Sequence, residues 1–477
     1  MRARVPTTIV LLAFLSFATE LALAGGPLVV GGPAVGNRAP FGVDGQPFTW
    51  NPARMPINYR IDPGAMAVNA SGTVVVDHTA GAQRVQSMFA VWQGVSTANL
   101  SYSNVGPLLS AGSYSGGDLK TAQQFNDVMG SCKSGVQNPV IFDADGKLIA
   151  SLGLPPEVIG FNAGCALDTT NGYLLSSAIV MNGQFQDGIN SPASTRPNFE
   201  LTANEFDEAI THEIGHFSGL DHSQINLIVL LQNTFPCDVD ELAGLPLMFP
   251  VARCQARKDV GLRVLSPDDV AWISSLYPNT DTVNSYGTIS GVVLFSDGVT
   301  PVQGANVIAR LVDDPSTAED ESRRVAVSAV SGYLFTGNPG QSVTANMPAA
   351  AEHNTNGSLA GSRNPSLIGY YQIAVPPGTY TVEVESLLDG FTGGSSVGPL
   401  DPPAPLPGWP EFWNTDESAF DFPLQRDTVT VHAGDKITGI DIILNAPFPR
   451  FDQYEDSGKL FDAPMVAPLL SSEGMQA

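Results

Sequence analysis

Thr211-His212-Glu213-Ile214-Gly215-His216-Phe217-Ser218-Gly219-Leu220-Asp221-His222-Ser223 gathers three of the six histidines in a chain of 477 residues. Upstream, Thr202 and Glu205 have the spacing of a capping box. Phe206, Ile210, Ile214 and Phe217 then recur on one face, and Gly219 stands where a helix would stop. The pattern predicts a helix through the stretch, with His212 and His216 four residues apart on a single face. Past Gly219 the chain can turn away, so His222 returns toward the same point from another direction. Glu213 sits beside the first histidine, able to reach that point without occupying it.

Convergent imidazoles suit zinc, whose catalytic sites take three protein ligands and leave a fourth position for water. Zinc lowers the pKa of bound water from about 15.7 toward about 7, which makes hydroxide accessible at neutral pH. Glu213 is then the expected general base, passing the proton on to a departing amine, while the metal polarises the carbonyl under attack.

Outward from this stretch, Ile57-Asn58-Tyr59-Arg60-Ile61 alternates as a strand, and Pro139–Phe142 and Ser177–Met181 read as further strands. Val85, Met88, Phe89, Trp92 and Val95 fall at helical spacing and predict an amphipathic helix with a core-facing stripe. Ser266 as N-cap, Pro267 in the first turn and Asp268-Asp269 at the positive end of the dipole mark a third helix, whose face is Val270, Ile273 and Leu276-Tyr277. Beyond Tyr286 the composition changes to short alternating strands between Gly, Asp and Pro turns: Thr288–Val293, Ala305–Ala309, Thr379–Val384 and Ile440–Leu444. That is the pattern of an antiparallel β-sandwich. The fold class expected is α+β, a mixed twisted sheet with long helices followed by an all-β antiparallel sandwich.

The segment from His212 to Ser223 resembles the extended zinc signature of the metzincin metallopeptidases, and the serine after the third histidine resembles the matrixin branch. Leu245-Pro246-Leu247-Met248-Phe249-Pro250 resembles the matrixin Met-turn, which implies that Met248 underlies the metal site as a structural support. Leu265–Val270 with Leu276-Tyr277 resembles the last helix of that family, and Trp50, Pro56 and Tyr59-Arg60-Ile61 its first strand. The likeness spans about residues 50–280. It implies one catalytic zinc on His212, His216 and His222, Glu213 as the catalytic base, and a polypeptide substrate. By the same analogy the strand of Ala178, Ile179 and Val180 is the edge that binds substrate backbone, with Phe249 and Pro250 nearby. Met248 lies 26 residues after His222, farther than in matrixins, behind an insertion that carries Cys237 and the apolar run Leu227–Leu231. No cysteine precedes Cys132, so the resemblance does not extend to a cysteine-switch propeptide. The sandwich, through Gly304–Val307 and Pro376–Val382, resembles carboxypeptidase-regulatory-like (transthyretin-like) domains, which suggest docking to a surface or matrix ligand. Asp143-Ala144-Asp145-Gly146 is a fragment of a calcium loop, so a Ca2+ contribution there stands beside the plainer reading of an acidic turn.

Composition supports an exported chain. Arg2 and Arg4 precede the apolar run from Ile9 to Ala18 and the small-residue site Ala22-Leu23-Ala24, which predicts a cleaved signal peptide over 1–24 and a secreted, extracellular protein. An extended leader follows over 25–46, then the peptidase-like domain over 47–280, the sandwich over 286–446 and a C-terminal tail over 447–477. No other run approaches spanning length, so no membrane span is expected. The formal net charge of −25, with 22 basic and 47 acidic residues in no single block, excludes a polyanion-binding surface and hence nucleic acid as partner. The four cysteines Cys132, Cys165, Cys237 and Cys254 show no CxxC spacing and predict two disulfides. Three connectivities are open, with nearest-neighbour pairing closing the shortest loops. A monomer is expected. The function expected is a secreted zinc endopeptidase; the alternative is a surface- or matrix-binding sandwich protein with a vestigial zinc domain.

Overall fold

In a computed structural model of the chain, residues 26–30, 47–168, 171–189, 200–231, 235–252, 254–334, 365–387 and 411–446 are described. The expected signal peptide and tail, and most of the leader, lie outside them. The fold is α+β, and its first half is built on the strands β1 (Thr49–Trp50), β2 (Ile57–Ile61), β3 (Ala67–Val68), β4 (Val74–Val76), β5 (Tyr102–Pro107), β6 (Pro139–Asp143), β7 (Gly160–Asp168) and β8 (Tyr173–Asn182). All but β3 and β4 join one sheet in the order β1-β8-β6-β2-β5, with β7 on β8. Its pairs are parallel except for β7 against β8. The interior strand β6 is buried at every position, the near-continuous apolar run of a strand covered on both faces.

Three longer helices, His78–Gln93, Ala122–Lys133 and Ala203–Phe217, pack on this sheet. Helix α1 (His78–Gln93) buries Val85, Phe89 and Trp92, as its spacing predicts, and Asp77 caps it. Helix α2 (Ala122–Lys133) carries a Thr121/Gln124 capping box. The short α3 (Lys147–Ser151) follows a left-handed Gly146 (φ 69°). Helix α4 (Ala203–Phe217) holds the histidine motif; its four expected core residues are fully buried, and the Thr202/Glu205 capping box is formed. Then come α5 (Ile228–Leu231), α6 (Val239–Gly244), α7 (Pro267–Leu276) and α8 (Thr280–Ser285). The disulfides are Cys132–Cys165, tying α2 to β7, and Cys237–Cys254, tying the insertion after His222 to the segment after Met248. Disulfides of this kind accord with maturation in an oxidising compartment. Among the described residues no helix is long and apolar enough to cross a membrane.

The second half is a sandwich of strands β9 (Gly287–Leu294), β10 (Ala305–Leu311), β11 (Ala326–Val330), β12 (Tyr370–Val375), β13 (Gly378–Ser386), β14 (Glu411–Phe412), β15 (Val429–Val431), β16 (Lys436–Ile437) and β17 (Ile442–Ile443), with α9 (Glu321–Arg324) before β11. One sheet runs β11-β10-β13-β14 with β15 on β13; the other runs β12-β9-β16 with β17 on β9. It is not wholly antiparallel as expected: β16 and β17 both lie parallel to β9. Each of these strands pairs over only two residues, so their direction leaves little sequence pattern.

The described part of the leader is docked on the first half of the chain. Gly26, Pro27 and Val30 are buried, and the segment pairs with the loop after α4 through Leu28 N–H to Gly219 O (2.8 Å) and Asp221 N–H to Gly26 O (3.0 Å). Its glycines and prolines hide that pairing, which lives in backbone groups. One further expectation is corrected: the strand at Ser177–Met181 is not an edge. It lies within β8, flanked by β7 on one side and β6 on the other, and Ala178, Ile179 and Val180 are wholly buried. Among the described residues the open edge on that side belongs to β7.

Candidate metal centre

The buried face of α4 fixes where its polar face points. Phe206, Ile210, Ile214 and Phe217 anchor the helix in the core, and Trp92 Nε1 donates to Thr211 O (2.8 Å). His212 and His216 are thereby presented one turn apart. At the helix end Gly219 adopts a left-handed backbone (φ 94°) that a side chain would strain. Leu220 N–H then bonds back to Gly215 O (3.0 Å). This reversal brings His222 to the other two rings, and Asp221 Oδ1 accepts the His222 N–H (2.8 Å).

The Nε2 atom of His222 lies 3.1 Å from His212 Nε2 and 3.1 Å from His216 Nε2. The rings of His212 and His216 are set edge to face with centroids 4.8 Å apart. His212 Nδ1 faces Leu247 O (2.7 Å) and His216 Nδ1 faces Leu220 O (2.9 Å), so each Nδ1 is the donor and each Nε2 lone pair points to the common centre. His222 Nδ1 has no partner among the described residues. Burial holds all three rings neutral. It lowers His212; it takes His216 to about 3, with His212 adding to the effect; and it lowers His222 well below the usual range, with both neighbours adding. Three neutral imidazoles aimed at one point are a donor set that could hold a metal ion. The spacing also fits: with metal–nitrogen distances of about 2.0–2.1 Å, tetrahedral ligands stand about 3.3 Å apart.

Glu213 is 7% exposed, and its Oε2 has no partner among the described residues. Burial alone pushes its carboxyl up to about 8, and a cation beside it would oppose that shift. Met248 is buried beneath α4: a Cβ on Gly215 would collide with its Sδ and with Trp92. The turn around Met248 is held by α7, where Asp269 accepts Leu247 N–H (2.8 Å) and Met248 N–H (3.1 Å). Leu247 O receives His212 Nδ1, and Met248 O receives Ser223 N–H (2.9 Å). One turn therefore supports two of the three histidine positions.

The insertion forms its own small core of Val229, Leu242, Leu245 and Phe249, with Leu227, Cys254 and Leu262 against it. Phe249 is thus buried and Pro250 half-exposed. At Asp143–Gly146 the carboxylates are engaged within the turn itself, in keeping with the plainer reading of an acidic turn. Asp143 accepts Leu148 N–H (3.1 Å) and Ile149 N–H (2.7 Å) at the start of α3, and Asp145 pairs with Lys147 (2.5 Å). Sequence reasoning missed a different acidic group in the sandwich. Glu411, Glu417 and Asp421 bring carboxylate oxygens within 4.8 Å of one another. The only signal was the acid-rich segment Asn414-Thr415-Asp416-Glu417, and the oxygens accept backbone N–H groups, among them those of Phe412, Asn414, Ser418 and Asn445.

No family model matches the chain, and no curated protein matches it. Among solved structures, the major pilin subunit of Bacillus cereus is similar over 34% of this chain at 11% identity and a TM-score of 0.16. The match spans 30% of the pilin's length, and at that TM-score it carries no argument about this chain.

Proposed function

We propose that the protein is a secreted zinc-dependent endopeptidase of the metzincin type, matrixin-like in its motif, with His212, His216 and His222 as ligands and Glu213 as the catalytic base. The observation that carries the reading is the convergence of three neutral imidazoles, with His222 Nε2 3.1 Å from the Nε2 of each of the other two, beside the buried Glu213, whose Oε2 has no partner among the described residues. Zinc held there would supply Lewis-acid polarisation of a carbonyl and acidification of water. The chain supplies the rest. His212 and His216 are locked in the ligating tautomer by Leu247 O and Leu220 O. Glu213 takes a proton from water and returns it to the leaving amine. The open edge of β7 offers backbone groups for an extended peptide to pair with, in the manner of β-augmentation.

Cleavage of a diverse peptide library, read by mass spectrometry, tests this. Internal cuts by the intact protein that vanish in Glu213→Ala and in a chelated sample are the expected result. No cuts from protein that carries one zinc would overturn the peptidase assignment. A second reading, a surface-binding sandwich, is favoured by one observation: Phe420, Phe422 and Leu424 are 75%, 59% and 98% exposed in a single loop. It predicts binding without hydrolysis.

A further inference from the structure

His212 and His216 each have a second-nitrogen hydrogen bond that sets the ring, whereas His222 has none among the described residues. Ligating histidines ordinarily owe their orientation to such a bond. The placement of His222 must therefore come from the chain that carries it, and the four residues after it are all buried against the sandwich. Ser223 Oγ lies 3.0 Å from Ser328 Oγ on β11. Gln224 O accepts Asn306 Nδ2 of β10 (2.6 Å), and its side chain donates to Glu385 Oε1 and Ser386 O of β13. Ile225 packs with Ile308 and Ala326. Asn226, held at φ 56°, accepts Arg310 Nη1 (2.7 Å) and donates to Arg323 O (2.9 Å).

The sandwich reaches the first histidine as well. Ser328 on β11 donates its N–H to Asp268 (2.8 Å), and its carbonyl accepts from Trp272 Nε1 (2.7 Å), both on α7. Asp269, next on that helix, holds the turn whose Leu247 carbonyl orients His212. We infer that the β-sandwich is the positioning frame of the metal centre, with Asn306, Arg310 and Ser328 as positioning residues that fix His222 through Ser223–Asn226. The inference rests on the metal-centre reading of the three histidines. It makes the second half of the chain a part of the ligand shell's support, acting on metal affinity even where no substrate touches it.

The test uses full-length, metal-free protein titrated with Co2+, whose visible absorption reports ligand geometry. Asn306→Leu and Arg310→Met each remove a grip on the segment without touching a ligand, and Arg310→Lys is the conservative comparison. Hydrogen exchange at Ser223–Asn226 reports the grip itself, and exchange in β9 and β12 shows that the sandwich stays folded. The expected result is Co2+ affinity about 10-fold weaker or more, an altered visible spectrum and faster exchange at Ser223–Asn226, with Arg310→Lys recovering part of each. Should a variant unfold the sandwich, Trp272→Phe, which removes the indole donor to Ser328 and part of the ring packed against Tyr333, is read the same way, with exchange in β9 and β12 again reporting the fold. Unchanged affinity and spectrum despite faster exchange overturn the inference, as does unchanged exchange in every variant. Wild-type protein that takes up no Co2+ at all overturns the metal-centre reading and this inference with it.

Discussion

Glu213 and Gly215 show how much one position carries. Glu213 is beside a ligand but holds none of the metal's positions, so Glu213→Gln should leave zinc affinity within a few-fold of wild type. Turnover of a cleaved peptide should fall by about 10²–10⁴, the usual share of a general base. Loss of zinc together with activity would instead make Glu213 part of the binding set. Gly215 is required for a reason the motif alone does not state: its missing Cβ is the space that Met248 Sδ and Trp92 fill. Gly215→Ala sets a helix-propensity gain against an overpacked core. Overpacking typically costs about 1–3 kcal/mol, more than the propensity difference of about 1 kcal/mol. A lower melting temperature is expected, and an unchanged or raised one would show that Met248 can move aside.

Among the elements, α4 is fully legible in the sequence, because a capping box, a four-residue apolar stripe and a terminal glycine all act within one helix. Helix α7 was legible in position but not in surroundings. Its Asp268 and Asp269 read as partners of the helix dipole, and both are also 1% exposed, one taken up by Ser328 N–H and the other by the turn at Met248. Their partners lie about 20 and 60 residues away in sequence, beyond any local pattern. Strand β8 misled for a related reason: its apolar run shows burial but does not say which strand takes the outer edge, and β7 does so with a half-exposed, weakly alternating sequence. The insertion between α4 and the Met248 turn is a third case, since its small core depends on a crosslink. Removing Cys237–Cys254, which closes a separation of 17 residues, should cost about 3 kcal/mol by loop entropy. The loss should appear first as faster hydrogen exchange in α5 and α6, with α1 unaffected. Uniform destabilisation of both regions would mean that the insertion is not a separate unit.

At the scale of the whole molecule, the acidic composition was plain in the sequence, but not which carboxyls the fold would bury without a cation. Several are held above their ordinary range by burial: Asp62 at about 7, with Asp118 adding to it, Asp268 at about 7, Glu417 at about 7 and Glu411 at about 8. They lie in both halves and at the junction between them. A carboxyl raised in the folded state contributes stability below its unfolded value near 4, and that contribution is lost as pH rises to the folded value. The buried histidines act in the opposite sense, being depressed, but only below about pH 6.5, because above it they are neutral in both states. From pH 6.5 to 8 the carboxyls therefore set the sign, and the melting temperature of the metal-free protein should fall across that window. Asp62 gives the cleanest check. It is fully buried, its Oδ1 accepts Gly64 N–H (3.0 Å), and its Oδ2 has no partner among the described residues, which leaves that oxygen for the proton. Asp62→Asn keeps the acceptor and removes the titration, so the decline should be shallower up to about pH 7 and parallel to wild type above it. A wild-type melting temperature that rises through the window would mean that the interior carboxyls are ionised and paired in the folded protein.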